Sequence, residues 1–215
     1  MKHALLACAC LCLAGLTFAS DDPAKTKSRV LFDGTSTEGW EQAGPGKFVL
    51  EDGVMHTEGG MGLFWYTKEK LGDCVIKVVY KTTKPQDNSG VFIRIADKPA
   101  DEWFAVHHGF EVQINDAADE HHRTGAVYSM SKVDKKPAKP GEWNTLEITL
   151  KGELIVVTVN GVEVTRFDPS KDPIPARTKE YEPERGPRPT HGYIGLQNHD
   201  DESRVYFKEV SVRSL

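Results

Sequence analysis

The sequence predicts an all-β fold, a sandwich of two sheets or a jelly roll. Short runs of alternating apolar and polar residues recur from residue 30 to the C-terminus. Turn residues separate them, above all Asp52-Gly53 and Asn160-Gly161, the dipeptides that favour tight hairpins. No stretch keeps a helical period for three turns. Alternation gives each strand one buried face, as expected when two sheets pack face to face.

Val30-Leu31-Phe32 opens the domain, and Gly39-Trp40 closes a turn-rich segment in which Trp40 is expected to pack in or at the edge of the core. Phe48-Val49-Leu50 and Val54-Met55-His56 read as a hairpin across Asp52-Gly53. Val75 to Thr82 is rich in β-branched residues, and Val91 to Ile95 is entered through Asp87-Asn88-Ser89-Gly90. Phe110 to Ile114, Thr124 to Tyr128, Trp143 to Leu150 and Leu154 to Val159 follow. Asn160-Gly161 joins the last of these to Val162-Glu163-Val164, and Tyr193 to Leu196 and Val205 to Val212 complete the set. Between Asp168 and Pro189 the chain carries six prolines and many charges. A segment of that length is a functional loop over a site or a disordered insert, and its prolines favour the ordered loop.

The chain has 215 residues and a formal charge of -5, from 27 basic against 32 acidic side chains. Mild acidity and the lack of a basic stripe argue against nucleic acid or anionic lipid as partner. Residues 1–19 resemble a signal peptide: the basic start Met1-Lys2-His3, the apolar run Ala4 to Leu16, and Thr17-Phe18-Ala19 as a small-x-small cleavage site. The run is too short to span a bilayer, and no other segment is long and apolar enough. The expected product is exported, periplasmic or extracellular. Cys8, Cys10 and Cys12 fit a lipid-attachment box poorly, which places lipoprotein anchoring second. Residues 20–29 form a polar tail and 30–215 a single domain. After leader removal only Cys74 remains, so no intrachain disulfide can form. Its neighbours Val75 and Ile76 mark it as a small buried hydrophobe.

Gly109-Phe-Glu-Val-Gln-Ile-Asn-Asp116 carries the most chemistry. Phe110, Val112 and Ile114 fall on one face of a strand, and Glu111, Gln113 and Asn115 on the other. A carboxylate and two amides on a rigid sheet face suit sugar hydroxyls and proton transfer; an ordinary solvated face is the alternative. Strict alternation also puts Arg94 opposite Val91, Ile93 and Ile95, on the same open face as Glu111 if those three are in the core. There its guanidinium would hold an oxyanion or fix the carboxylate. His199, at the end of a strand and beside Asp200, is a candidate general base. His107-His108 and His121-His122 have no recognisable metal spacing. Trp65, Trp103 and Tyr128 offer rings that stack on sugar faces or pack in the core. There is no serine-hydrolase elbow, phosphate loop or dinucleotide fingerprint.

Several stretches together resemble one family. Leu31-Phe32-Asp33-Gly34 with Gly39-Trp40, Asn88 to Arg94, Gly109 to Asp116, Thr124 to Tyr128, Gly141-Glu142-Trp143-Asn144 and Gly192 to His199 occur in the order found in the 3-keto-disaccharide hydrolase domain family. Asn198-His199-Asp200 stands where Asp-His-Gly is common, and Asn115 replaces a frequent apolar residue. The resemblance implies a concanavalin A-like jelly roll of two curved antiparallel sheets. It also implies hydrolase activity on glycosides with a ketone at C3. Such a ketone acidifies the C2 proton, so that a base can form an enolate that expels the C1 oxygen. His199 or Glu111 would be the base, Arg94 would hold the enolate oxygen, and Tyr128 would protonate the leaving oxygen. Gln113 and Asp116 would orient hydroxyls or complete an ion site, and Trp103 and Trp65 would stack on the sugar. The resemblance names no certain cofactor, and a divalent ion on Glu111, Asp116 and His199 is chemically compatible. A non-catalytic, lectin-like carbohydrate-binding module is the alternative. A laminarinase-like glycosidase expects a second carboxylate where Gln113 stands. Oligomeric state is left open.

Overall fold

The computed structural model describes residues 27–215, in which two antiparallel sheets pack face to face. The leader expected over residues 1–19 and most of the expected tail lie outside the described residues. Thirteen strands and one short helix follow in chain order: β1 (Arg29–Phe32), β2 (Trp40–Ala43), β3 (Lys47–Glu51), β4 (Val54–Glu58), β5 (Gly62–Tyr66), β6 (Cys74–Thr82), β7 (Ser89–Ile95), α1 (Phe104–His108), β8 (Phe110–Ile114), β9 (Asn144–Lys151), β10 (Leu154–Val159), β11 (Val162–Phe167), β12 (Tyr193–Asn198) and β13 (Val205–Ser214). The larger sheet runs β11-β10-β9-β6-β13-β4-β3, with β1 also on β13; the smaller runs β2-β5-β12-β7-β8.

The two hairpins read from the sequence form through left-handed turn residues. Asp52 and Gly53 have φ of 51° and 75°, and Asn160 and Gly161 have φ of 51° and 78°. Both pairs match the turn whose twist suits a two-stranded ribbon. Along β6 the residues alternate buried and half-buried, so Ile76, Val78 and Tyr80 point into the sandwich. Leu146 and Ile148 join them from β9, while Val91, Ile93, Val112, Ile114 and Leu196 close the core from the smaller sheet. Trp40 belongs to this core, stacked on Phe64 at 5.0 Å, with its indole N–H donating to the Leu31 carbonyl at 2.9 Å. Cys74 is buried, and burial pushes its thiol up to about 11, consistent with packing and not with nucleophilic use.

The smaller sheet has a second apolar layer on its other face. Leu63, Trp65, Phe92, Ile95, Ala105 and Val106 pack there, with α1 laid over the strands. Helix α1 is one turn and a half, too short to show a period in sequence. Its first turn is ordered by Asp101, whose carboxylate accepts from the Trp103 and Phe104 N–H groups.

Three expectations are corrected. Thr124 to Tyr128 is not a strand: only Val127 bridges to Val112, and turns surround it. Gly125, with φ of 89°, breaks the extension. Trp65 lies in the second apolar layer beneath the Tyr193 ring, at 5.1 Å, and is a packing residue.

The third correction is Arg94. Between β7 and β12 the register shifts: Ile95 pairs with Tyr193 but Phe92 with Gly195, so two residues of β7 face one of β12. Arg94 occupies this bulge with φ of 54°. The bulge interrupts the alternation, puts Ile95 with Phe92 in the outer layer, and sends Arg94 away from the Glu111 face. Its fully buried guanidinium donates to the carbonyls of Gly152 and Glu153, in the β9–β10 turn of the opposite sheet. Arg94 therefore ties one end of the sandwich together.

Arg94→Ala should lower unfolding free energy by on the order of 2–4 kcal/mol, because two carbonyls lose a charged donor inside the protein. Urea unfolding of the variant measures this; a change within experimental error would remove the structural role.

Candidate active site

On β8 the alternation holds as the sequence predicts. Phe110, Val112 and Ile114 enter the core, and Glu111 and Gln113 face the other way. Strand register then sets what lies beside them. Gln113 pairs with Gly90 on β7 and Glu111 with Phe92. Phe92 pairs with Gly195 on β12 and Gly195 with Trp65 on β5, while Gln197 pairs with Leu63. Two strand glycines thus hollow the sheet face. A Cβ on Gly90 would lie 2.7 Å from the Glu111 Cγ, so the glutamate side chain occupies the space that Gly90 leaves. A Cβ on Gly195 would lie 2.7 Å from Leu63 Cδ1.

The resulting cavity holds about 450 Å³. Glu111, Gln113 and Gln197 come from the sheet, and Asn88 from the turn before β7. Trp103 and Val106 form one wall, Tyr128 stands beside β8, and Met61, His199 and Tyr181 complete the lining. Tyr128 is held against Glu111 by its backbone N–H, which donates to the Glu111 carbonyl at 2.9 Å. Tyr181 arrives on the proline-rich segment, which is strapped across this end of the molecule. Arg185 donates to the Ser129 carbonyl at 3.3 Å, and Arg188 to the Gly109 carbonyl at 2.9 Å, with its guanidinium over the Phe110 ring. Of the two readings of that segment, the ordered loop over the cavity is the one observed.

Burial controls the electrostatics. Glu111 is 6% exposed, and its carboxyl has no protein hydrogen-bond partner among the described residues. No Lys or Arg lines the cavity. Burial therefore pushes its pKa up to about 8, and the group is mostly neutral at pH 7. Tyr128 is pushed up as well, by burial first and by the Glu111 charge second, and stays a neutral phenol. His199 is different. It is partly exposed, and its Nδ1 lies 2.7 Å from the Asp200 carboxylate. Burial works against that carboxylate, but hydrogen bonds from His199 and Ser203 outweigh it and hold Asp200 below the usual range. An ionised carboxylate only accepts, so the proton of this contact sits on Nδ1, and in the neutral tautomer Nε2 is the free basic nitrogen.

The amides are set for a ligand. Gln113 Oε1 accepts from the Ile114 N–H at 2.9 Å, which leaves the Nε2 donors for the cavity. Gln197 Oε1 and Asn88 Oδ1 are buried without partners. Unsatisfied buried acceptors in a cavity wall are what a polyhydroxylated ligand would satisfy.

Five of the expected residues meet here: Glu111, Gln113, Trp103, Tyr128 and His199. Arg94 and Trp65 do not, for the reasons above. Asp116 lies past the end of β8, close to Thr124 and Tyr80, and outside the cavity lining. The triplet Glu111, Asp116 and His199 is therefore not gathered. Among the described residues no group of three His, Cys, Asp or Glu side chains could hold a metal ion. Asn115 caps the following turn by accepting from Ala117 and Ala118. Sequence reasoning did not single out Gln197, Asn88 or Tyr181. Gln197 had a readable signal, since it alternates with the core residues Ile194 and Leu196; Tyr181 had none.

The family described as 3-keto-alpha-glucoside-1,2-lyase-like domain matches residues 27–213. Two crystal structures of candidate glycosyl hydrolases from Parabacteroides distasonis are similar. One has a TM-score of 0.70 at 26% identity, over 88% of this chain and 100% of its own; the other has 0.69 at 22%, over 91% and 97%. The carbohydrate binding module CBM66 from Bacillus subtilis shares the fold, with a TM-score of 0.56 at 13% identity, over 82% of this chain and 96% of its own. Among proteins with curated descriptions, none matches this sequence.

A raised carboxyl pKa has a signed consequence for stability. The folded state keeps the Glu111 proton to about pH 8, whereas the unfolded chain releases it near 4.5, so stability falls as pH rises between those values. Glu111→Gln lacks this slope. Relative to the variant, the wild type should lose on the order of 3–5 kcal/mol between pH 5 and pH 8.5. Urea midpoints of both proteins at the two pH values test this; parallel pH profiles would place Glu111 among ordinary glutamates.

Proposed function

The chain belongs to the 3-keto-alpha-glucoside-1,2-lyase-like domain family, and from that premise we propose that it cleaves glycosides whose sugar carries a ketone at C3. The supporting observation is the pairing, in one cavity, of a neutral buried carboxyl, Glu111, with an imidazole oriented by a carboxylate, His199 on Asp200. A carboxyl kept neutral by burial, in one cavity with an imidazole oriented by a carboxylate, gives the site an acid and a base.

The C2 proton of a 3-keto sugar is acidic because the carbanion is delocalised into the ketone. His199 Nε2 takes that proton, and the electron pair moves onto the C3 oxygen. The developing enolate needs donors. Arg94 is elsewhere, and the donors in the cavity are the Glu111 carboxylic acid and the Gln113 amide. A neutral acid is an effective donor to an enolate when burial keeps it protonated. The enolate then collapses to a C1=C2 double bond and expels the C1 oxygen, which takes a proton from the Tyr128 hydroxyl. Water adds across the double bond in the hydrolytic version of the reaction, and no oxocarbenium ion is needed. Trp103, 43% exposed at the rim, offers a ring to the sugar face. The leader-like residues 1–19 support an exported enzyme.

The fold is shared with carbohydrate-binding modules, and a binding protein without turnover is the second reading. Incubation of the protein with 3-keto-trehalose, 3-keto-lactose and the unoxidised parents, followed by mass spectrometry, separates the two. Release from the keto sugars alone is expected; binding of the parents without release would establish the module.

His199→Ala should lower kcat/KM by about 10²–10⁴-fold through loss of the base. Glu111→Ala should lower it by about 10²–10³-fold through loss of an oxyanion donor. Both variants should keep the wild-type fold by circular dichroism, and full activity in both would remove the site. The pH profile gives an independent check. The donor form of Glu111 is present below about 8 and lost above it, so wild-type kcat/KM should fall as pH rises through that value. In Glu111→Gln the amide still donates but does not titrate, so activity should be partial and this alkaline limb absent.

A further inference from the structure

Tyr128 is given the task of protonating the leaving oxygen, and an acid must be aimed. Its backbone is fixed on both sides. The Tyr128 N–H donates to the Glu111 carbonyl, and the next one, of Ser129, donates to the His121 carbonyl at 2.9 Å. The phenol is not tethered in this way: among the described residues no group hydrogen-bonds its hydroxyl. Its direction therefore depends on what packs against the ring.

His122 packs there. Its ring lies 4.8 Å from the Tyr128 ring, tilted by 59°. Asp119 holds His122 in turn, with both carboxylate oxygens 2.9 Å from Nδ1. Burial works against the Asp119 carboxylate, but hydrogen bonds from the His122 ring and the His121 N–H outweigh it and keep the group below the usual range. An ionised carboxylate only accepts, so Nδ1 donates, and the imidazole cannot flip without losing both contacts. The turn that carries the pair is pinned as well. Asp119 Oδ1 accepts from the His121 N–H at 2.9 Å, and the Glu120 carbonyl accepts from the Val133 N–H at 2.8 Å. Asp119, His122 and Tyr128 thus form a chain of contacts from an exposed carboxylate to a ring in the cavity wall. Stability does not account for it, because an exposed ion pair contributes little and the Asp119 side chain is 61% exposed.

We propose that His122, braced by Asp119, is a positioning residue that aims the Tyr128 hydroxyl at the leaving oxygen. The inference rests on the reaction proposed above and adds a part to it. In the elimination the phenol O–H bond breaks as the bond from C1 to oxygen does, and the proton goes to that oxygen. The phenolate left behind is opposed by burial first and then by Glu111, Tyr181, Glu182 and Asp119. In the hydration it takes a proton back from the water that adds at C1, and His199 returns its proton to C2. Both transfers need the phenol oxygen in one place, so a ring free to swing slows both.

The test compares two substrates that share the keto sugar. From 3-keto-trehalose the departing group is a sugar alkoxide, which needs a proton; from 4-nitrophenyl 3-keto-α-glucoside it is a stabilised phenolate, which does not. His122→Ala removes the brace and, since the pair is exposed, should keep the wild-type circular dichroism. Its kcat/KM for 3-keto-trehalose should fall about ten- to a hundredfold, the cost of a misaimed catalytic group, while that for the nitrophenyl glycoside stays within about twofold. Asp119→Asn keeps the turn acceptor and should show the same selectivity in smaller measure. Tyr128→Phe sets the full size of the selective loss, and adding His122→Ala to it should cost nothing further on the disaccharide. An unchanged ratio between the two substrates in His122→Ala, or an additive loss in the Tyr128→Phe background, overturns the positioning role and leaves the reaction standing. A wild-type protein that cleaves neither substrate overturns the reaction, and the positioning role with it.

Discussion

A carboxyl group removed from water and given no partner cannot ionise at its ordinary pH, and this constraint organises the site. Glu111 is held on the floor of a cavity with no lysine or arginine in its lining. Its proton is therefore retained to about pH 8. The protein bears the resulting cost in a cavity that also holds an imidazole oriented by an aspartate carboxylate, and the proposed reaction uses both groups. In the proposed reaction, stability and reactivity are opposed at this residue, as is common where function needs a group held out of its preferred state.

The fold supplies the constraint through register. Strand alternation on β8 turns Glu111 outward, and Gly90 on the neighbouring strand leaves room for its side chain to lie flat. Gly195 deepens the same face. The bulge at Arg94 has the complementary effect. Without it, alternation would set a guanidinium on the face that carries Glu111, and an adjacent cation would draw the carboxyl pKa down. With it, the guanidinium crosses to the β9–β10 turn and joins the two sheets. One extra residue in one strand thus serves both the stability of the sandwich and the neutrality of the acid.

Much of this was legible in the sequence. The two hairpin dipeptides, the alternation of β6, β8 and β9, and the outward face of Glu111 and Gln113 follow from local rules of period and turn. His199 stood out by its place at a strand end beside Asp200, and the family resemblance gave Tyr128 a role beyond that of one ring among several. What failed had common physical causes. Arg94 was misplaced because a bulge is a property of pairing between strands, and β7 alone reads as regular. Trp65 looked like a ligand platform because an aromatic strand residue has the same sequence appearance over a cavity or under a helix. Helix α1 was invisible because five residues show no period. Tyr181 lies in a loop whose path is fixed by Arg185 and Arg188 reaching distant carbonyls, contacts that no spacing encodes.

The most direct test is to watch the Glu111 proton itself. Infrared difference spectra of the ligand-free wild type against Glu111→Gln, recorded from acid to alkaline pH, isolate the carbonyl stretch of this one carboxylic acid. The account predicts that the protonated band persists at pH 7 and gives way to carboxylate near pH 8. Conversion near the ordinary glutamate value, about 4.3, would contradict it, because the group would then be an anion under working conditions with no proton to offer the enolate.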